Sequence, residues 1–281
     1  MKNVFDIKRF GKYFTYDLNN AWSNFGVSAL VSGLLPLVFL VFFVVFGLIF
    51  DGRASEIPYE VKFIIPIVIL VILILSAPVK LYGSLTERKA GSDWLMIPAS
   101  SFEKFLSMAL MLCVVLPVVV FGLFSLCDLI LGWLVPVYYG GSFVKSTASW
   151  LSNLSGDLIT VNGVPSTGIT PGGLLAMVFM SWCASILPFG LGAVCFKKGK
   201  AAKTILCIFA LEMVLSILLV LVFKGGYDSG YSFGQFLSRF FGEMTAGKMQ
   251  FLANFIINLN FLIVVGGLLT ALFFRIKTLK H

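Results

Sequence analysis

VSALVSGLLPLVFLVFFVVFGLIF, residues 27–50, contains no charged side chain. Coiled as an α-helix at ~1.5 Å per residue, it is long enough to cross the ~30 Å hydrocarbon layer of a bilayer. Five further stretches read the same way: 63–81, 105–126 (extending toward Trp133), 174–196, 204–223 and 251–274. They are apolar on every side, whereas a membrane-spanning strand alternates between a lipid face and a polar lumen face. A helix bonds all of its backbone polar groups internally, which hydrocarbon requires. The sequence therefore predicts an all-α polytopic membrane protein, a single transmembrane domain over 1–281 with six spans.

Composition agrees with the runs. The 281 residues are 59% hydrophobic and 12% charged, against roughly half and a quarter in soluble domains. Nucleic-acid binding is set aside despite the net charge of +8. Orientation follows from the basic residues, which concentrate on cytoplasmic flanks. With the N-terminus inside, the cytoplasmic segments hold Lys2, Lys8, Arg9, Lys12, Lys80, Arg88, Lys89, Lys104, Lys197, Lys198, Lys200, Lys203, Arg275, Lys277 and Lys280. The external segments hold only Arg53, Lys62, Lys145, Lys224, Arg239 and Lys248. Both termini are thus expected in the cytoplasm.

Ahead of the first span, Phe10, Phe14, Leu18 and Trp22 recur every four residues, with Lys8, Arg9, Lys12, Asn19 and Asn20 on other faces. Residues 1–25 accordingly read as an amphipathic helix lying in the cytoplasmic interface. Residues 134–173 form the longest external loop, with Gly140-Gly141 and Pro171-Gly172 as turn signals and a weak helical pattern near 143–154.

The connection LYGSLTERKAGSDWLMIPASSFEKF, residues 81–105, carries the most information. Glu87, Arg88 and Lys89 form a charged patch, and Gly91 and Pro98 bracket an apolar run. Ser100 and Glu103 stand in S-x-x-E spacing, a capping box that starts the third span. On Glu87, Arg88, Gly91, Leu95, Pro98, Ser100 and Glu103 this loop resembles the coupling segment of ABC-2 type transporter permeases. The amphipathic N-terminus and the six-span plan are similar to that family as layout. Gly91 and Pro98 stand closer together than the family pattern has them. The resemblance implies a permease subunit of an exporter in the bacterial cytoplasmic membrane, working as a homo- or heterodimer. It also implies a separate ATPase docking on this loop.

Intramembrane charges are costly, by about 3 kcal/mol at a helix centre, and therefore informative. Glu212 falls near mid-span, with Ser216 one turn on; Asp128 falls at the outer end of the third span. A proton- or ion-coupled carrier using Glu212 is one rival to the exporter, and a membrane scaffold or sensor without transport is another. Catalysis, cofactors and metal are not expected: the one histidine is His281, no C-x-x-C occurs, and the five cysteines lie in or beside apolar runs. Gly242-Glu-Met-Thr-Ala-Gly-Lys248 spells a phosphate-loop pattern, but Met249 stands where a magnesium-binding hydroxyl belongs.

The chain is expected to stay in the membrane pellet through an alkaline carbonate wash. Recovery as a monodisperse species in buffer without detergent would overturn the membrane assignment.

Overall fold

A computed structural model describes residues 5–50, 52, 56–154, 159–161, 164–166, 171–227 and 246–278. The long helices are α1 (Ile7–Gly33), α2 (Leu35–Phe50), α3 (Tyr59–Tyr82), α5 (Ser101–Leu110), α6 (Leu116–Leu134), α9 (Pro171–Cys195), α10 (Lys200–Tyr227) and α11 (Ala246–Thr278). A 3-10 turn, Gly83–Thr86, and a short helix α4 (Arg88–Met96) connect α3 to α5. Beyond α6 come α7 (Pro136–Tyr139), α8 (Phe143–Leu154) and an antiparallel pair of three-residue strands, β1 (Ile159–Val161) and β2 (Val164–Ser166). That hairpin is a small departure from the all-helical expectation. Among the described residues, five helical stretches are long and apolar enough to cross a membrane, and the pair α1–α2 makes a sixth if counted as one bent span.

The break between the amphipathic segment and the first span does not fall near Phe25. α1 runs unbroken to Gly33, and α2 leaves it at 43°. Pro36 supplies the reason: its ring lacks an N–H and fits only the first turn of a new helix, so the old one must end just before it. The Leu34 amide closes α1 on the Leu30 carbonyl at 3.0 Å. The packed face of α1 also differs from the apolar one in the sequence. Leu18 and Trp22 stay exposed, whereas Tyr13, Asp17, Phe25, Ala29 and Ser32 are buried against α3, α5 and α6. In a bilayer the greasy face meets lipid, and the face with polar groups turns inward to find partners.

Pro117 is the second residue of α6. A five-residue π turn, Met111–Val115, stands just before it and joins α5 to α6 in one stretch, Ser101–Leu134. The wider turn accommodates the amide that proline lacks. On α3, Ile65, Ile69, Leu73, Ala77 and Leu81 repeat every four residues and form one buried stripe. Leu112, Ile186 and Leu187 belong to the same core. α9 is the central helix, half buried over its apolar window, and it packs on α3, α10 and α11. α10 is peripheral, with 6% of its window buried.

α1 crosses α6 closely. A methyl group on Gly33 would stand 2.5 Å from the Leu123 Cβ, while one on Gly122 would meet nothing within 4 Å. Gly33→Ala is therefore expected to destabilise the protein by about 1–3 kcal/mol in detergent unfolding. Gly122→Ala should stay within about 0.5 kcal/mol of wild type.

Candidate functional site

Arg9, Tyr13 and Asp17 are spaced four apart, so they form a polar stripe along one side of α1. Together they reach three elements, α3, α4 and α5. The Arg9 guanidinium grips Glu103 of α5, with Nε 2.8 Å from Oε2 and Nη2 2.6 Å from Oε1. The Tyr13 hydroxyl accepts the Trp94 indole N–H of α4 at 2.9 Å. The Asp17 carboxylate accepts the Tyr82 hydroxyl at 3.0 Å and the Ser107 hydroxyl at 2.6 Å.

Glu103 is the hub, with none of its side chain exposed. Its oxygens also accept the Asp6 amide at 3.0 Å and the Ser100 amide at 2.8 Å. Ser100 returns the bond by accepting the Glu103 amide at 3.2 Å, which completes the capping box read from the sequence. Asp6 is the N-cap of α1 and accepts the Lys8 amide at 2.9 Å. One carboxylate thus sits at the amino ends of two helices, α1 and α5. Both present unpaired amides and the positive ends of their dipoles to it.

The connection between the second and third spans is folded rather than a bare loop. Residues 88–96 are helical through Gly91, whose amide bonds the Glu87 carbonyl at 2.8 Å. Glu87 is exposed at the start of α4, and Pro98 is exposed after its end. The side chains of Arg88, Lys89 and Leu95 lie outside the described residues. Trp94 is held twice more, its carbonyl accepting Lys104 Nζ at 2.8 Å and its ring lying 4.4 Å from that ammonium. From the start of α10, Lys200 Nζ donates to the Gly83 carbonyl.

The structure brings a second polar group together at the other end of the bundle. Asp128 is fully buried and accepts four bonds, from the hydroxyls of Tyr139 and Ser142 at 2.6 Å each and from the amides of Phe143 at 3.1 Å and Val144 at 2.9 Å. It therefore caps α8. Lys62, 2% exposed, donates to the carbonyls of Tyr139 and Gly141 and lies 4.4 Å from the Tyr139 ring centroid. Gly140 and Gly141, at φ +63° and +84°, turn the chain so that these carbonyls converge. Burial, and then the Asp128 carboxylate to which it donates, push the Tyr139 hydroxyl well above the ordinary phenol value.

Glu212 stands apart from both groups. Its side chain is exposed on α10, and Ser216 donates to its backbone carbonyl at 2.7 Å rather than to its carboxylate. Lys62 and Asp17 were not singled out in the sequence. The available signals were a lysine and an aspartate at matching ends of two successive spans, and an acid four residues after a tyrosine on a basic helix. Two open apolar grooves among the described residues flank the core. One of about 320 Å³ lies between α1 and the third span, and one of about 560 Å³ lies among α3, α6, α9 and α11. Among the described residues no cluster of three potential ligands offers a metal site, and the phosphate-loop pattern at 242–248 falls largely outside them. Comparisons with family models, curated proteins and solved structures found no match.

Asp128→Asn keeps the shape but replaces one acceptor oxygen with a donor among four donors. It is expected to cost about 1–3 kcal/mol of stability in detergent. Glu212→Gln should move the unfolding midpoint by less than about 0.5 kcal/mol. Equal effects of the two would refute the buried geometry.

Proposed function

We propose that this chain is the membrane-spanning permease subunit of an ABC-2-like exporter in a bacterial cytoplasmic membrane. It has both termini in the cytoplasm and works as a pair of permease subunits. A separate ATPase docks on the connection between α3 and α5. The concentration of basic residues at the ends of the chain, on the 80–104 connection and on the 197–203 turn supports this orientation. The observation that carries the reading is how α4 is mounted. Its Trp94 is held by Tyr13 of α1 and Lys104 of α5, while Asp93 and Met96 face outward, Met96 with 80% of its surface exposed.

A displacement applied to α4 therefore acts on two helices at once. α5 continues through the π turn into α6, so the third span moves with it. α1 is 27 residues long, ~40 Å as a helix, and ends at the bend with α2. The Arg9–Glu103 pair keeps the feet of these two helices together. A floppy loop would absorb the same displacement; a short helix fixed at both ends transmits it.

Tagged chain purified from its native membranes in mild detergent is expected to bring down a polypeptide with a complete phosphate loop and measurable ATP hydrolysis. Met96→Asp should lower that yield about tenfold while leaving thermal unfolding in place, as for a buried apolar contact at an interface centre. If no ATPase is recovered with wild-type chain, or if Met96→Asp recovers it in full, the reading fails.

A further inference from the structure

We infer that the groove between α1 and the third span holds one acyl chain of an anionic phospholipid, with the lipid phosphate bound by Lys80. The site does not depend on the exporter reading; it requires only that the chain lie in a bilayer. Small residues open the groove. Ala21, Gly26 and Ala29 line its α1 wall, and the Trp22 ring lies back over Gly26, where an added methyl group would stand 3.1 Å from it. On the facing wall Met111, Val115 and Val119 recur every four residues, so that wall follows a helix for ~12 Å. Val119 is exposed at its edge, which leaves the groove open to lipid along its side.

In a bilayer some hydrocarbon chain fills any such groove, because empty space forfeits dispersion contacts. What selects among lipids is the charge beside it. Lys80 is in the last turn of α3, next to Leu81, which lines the groove. Its ammonium donates to the Ser28 hydroxyl at 2.6 Å and stands 5.9 Å from the ring of Phe25, another lining residue. The side chain is exposed, and among the described residues no carboxylate pairs with it. An ammonium carries three donors, and the Ser28 bond uses one. The phosphate of an anionic lipid supplies both the acceptors and the opposite charge, whereas a zwitterionic headgroup carries its own cation beside the phosphate. Basic positions between spanning helices near the headgroup level are suited to such lipids.

Brominated acyl chains quench an indole only on contact, and Trp22 lines the groove. The full chain is reconstituted in phosphatidylcholine vesicles containing either brominated phosphatidylglycerol or brominated phosphatidylcholine, and the Trp22 signal is taken as the difference from Trp22→Phe. Phosphatidylglycerol is expected to need about one-fifth of the mole fraction that phosphatidylcholine needs for equal quenching, the worth of one lysine near a membrane surface. Lys80→Gln should erase this preference, and Lys80→Arg should keep it. Val119→Phe fills the groove from its exposed side, leaves the Lys80 contacts in place, and should erase the preference too. Thermal unfolding in detergent identifies a variant that fails to fold, and Val119→Phe decides the matter if Lys80→Gln is one. Equal quenching by the two lipids with the wild-type chain overturns the site. So does a preference that survives Lys80→Gln, which would assign the headgroup to the exposed Lys8 and Lys12 of α1. Loss of the preference on adding inorganic phosphate would make Lys80 an anion site without a chain, and overturns it as well. None of these outcomes bears on recovery of an ATPase, so this site and the exporter reading fail separately.

Discussion

Glu103 lies where the amino ends of two long helices meet, and one end of the bundle depends on that meeting. A carboxylate without exposure needs several donors, because an unpaired buried charge costs far more than a bonded one returns. Here the donors are two backbone amides at helix starts and a guanidinium presenting its planar fork. None of these is spare in its own element: the amides are among those a helix start leaves open, and Arg9 has its charge to balance. The group also fixes a direction. α1 and α5 can satisfy Glu103 together only when their feet are side by side, which sets where α4 must cross.

The opposite end solves the same problem with different groups. Asp128 collects two hydroxyls and two amides, while Lys62 is satisfied by carbonyls and an aromatic face rather than by a direct ion pair. The result ties α3, α6, α7 and α8 into one corner. Between the two corners the contacts are mainly apolar, with the Trp182 indole N–H donating to the Leu112 carbonyl at 3.2 Å between α9 and the π turn. The π turn and Pro117 lie in that middle stretch.

α10 has little part in either corner. Its apolar surface and Glu212 face outward, so the bundle described here leaves one spanning helix with the least internal support. Glu212 drew notice in the sequence because a charge at mid-span is rare, and the tertiary arrangement shows that rarity and burial are separate matters. The carboxylates that the fold encloses are those at the ends of spans, where amides and hydroxyls are available to bond them.

What the sequence determined by itself is the solvent of each segment. Long uncharged runs belong in hydrocarbon whatever they pack against, and the positions of the spans and the capping box at Ser100 follow from residues close together in the chain. The bend at Pro36 was equally local, although the amphipathic pattern drew attention to Phe25 instead. Only the tertiary structure decided which face of α1 turns inward, that residues 88–96 are a helix with its Trp94 held from both sides, and that Lys62, Asp17 and Asp128 are enclosed. Those outcomes depend on bonds to other elements, some near in the chain, as for Asp128 with Tyr139, and some 65 to 97 residues away, and a periodic pattern records the spacing of side chains along one helix without recording which other helix will supply their bonds.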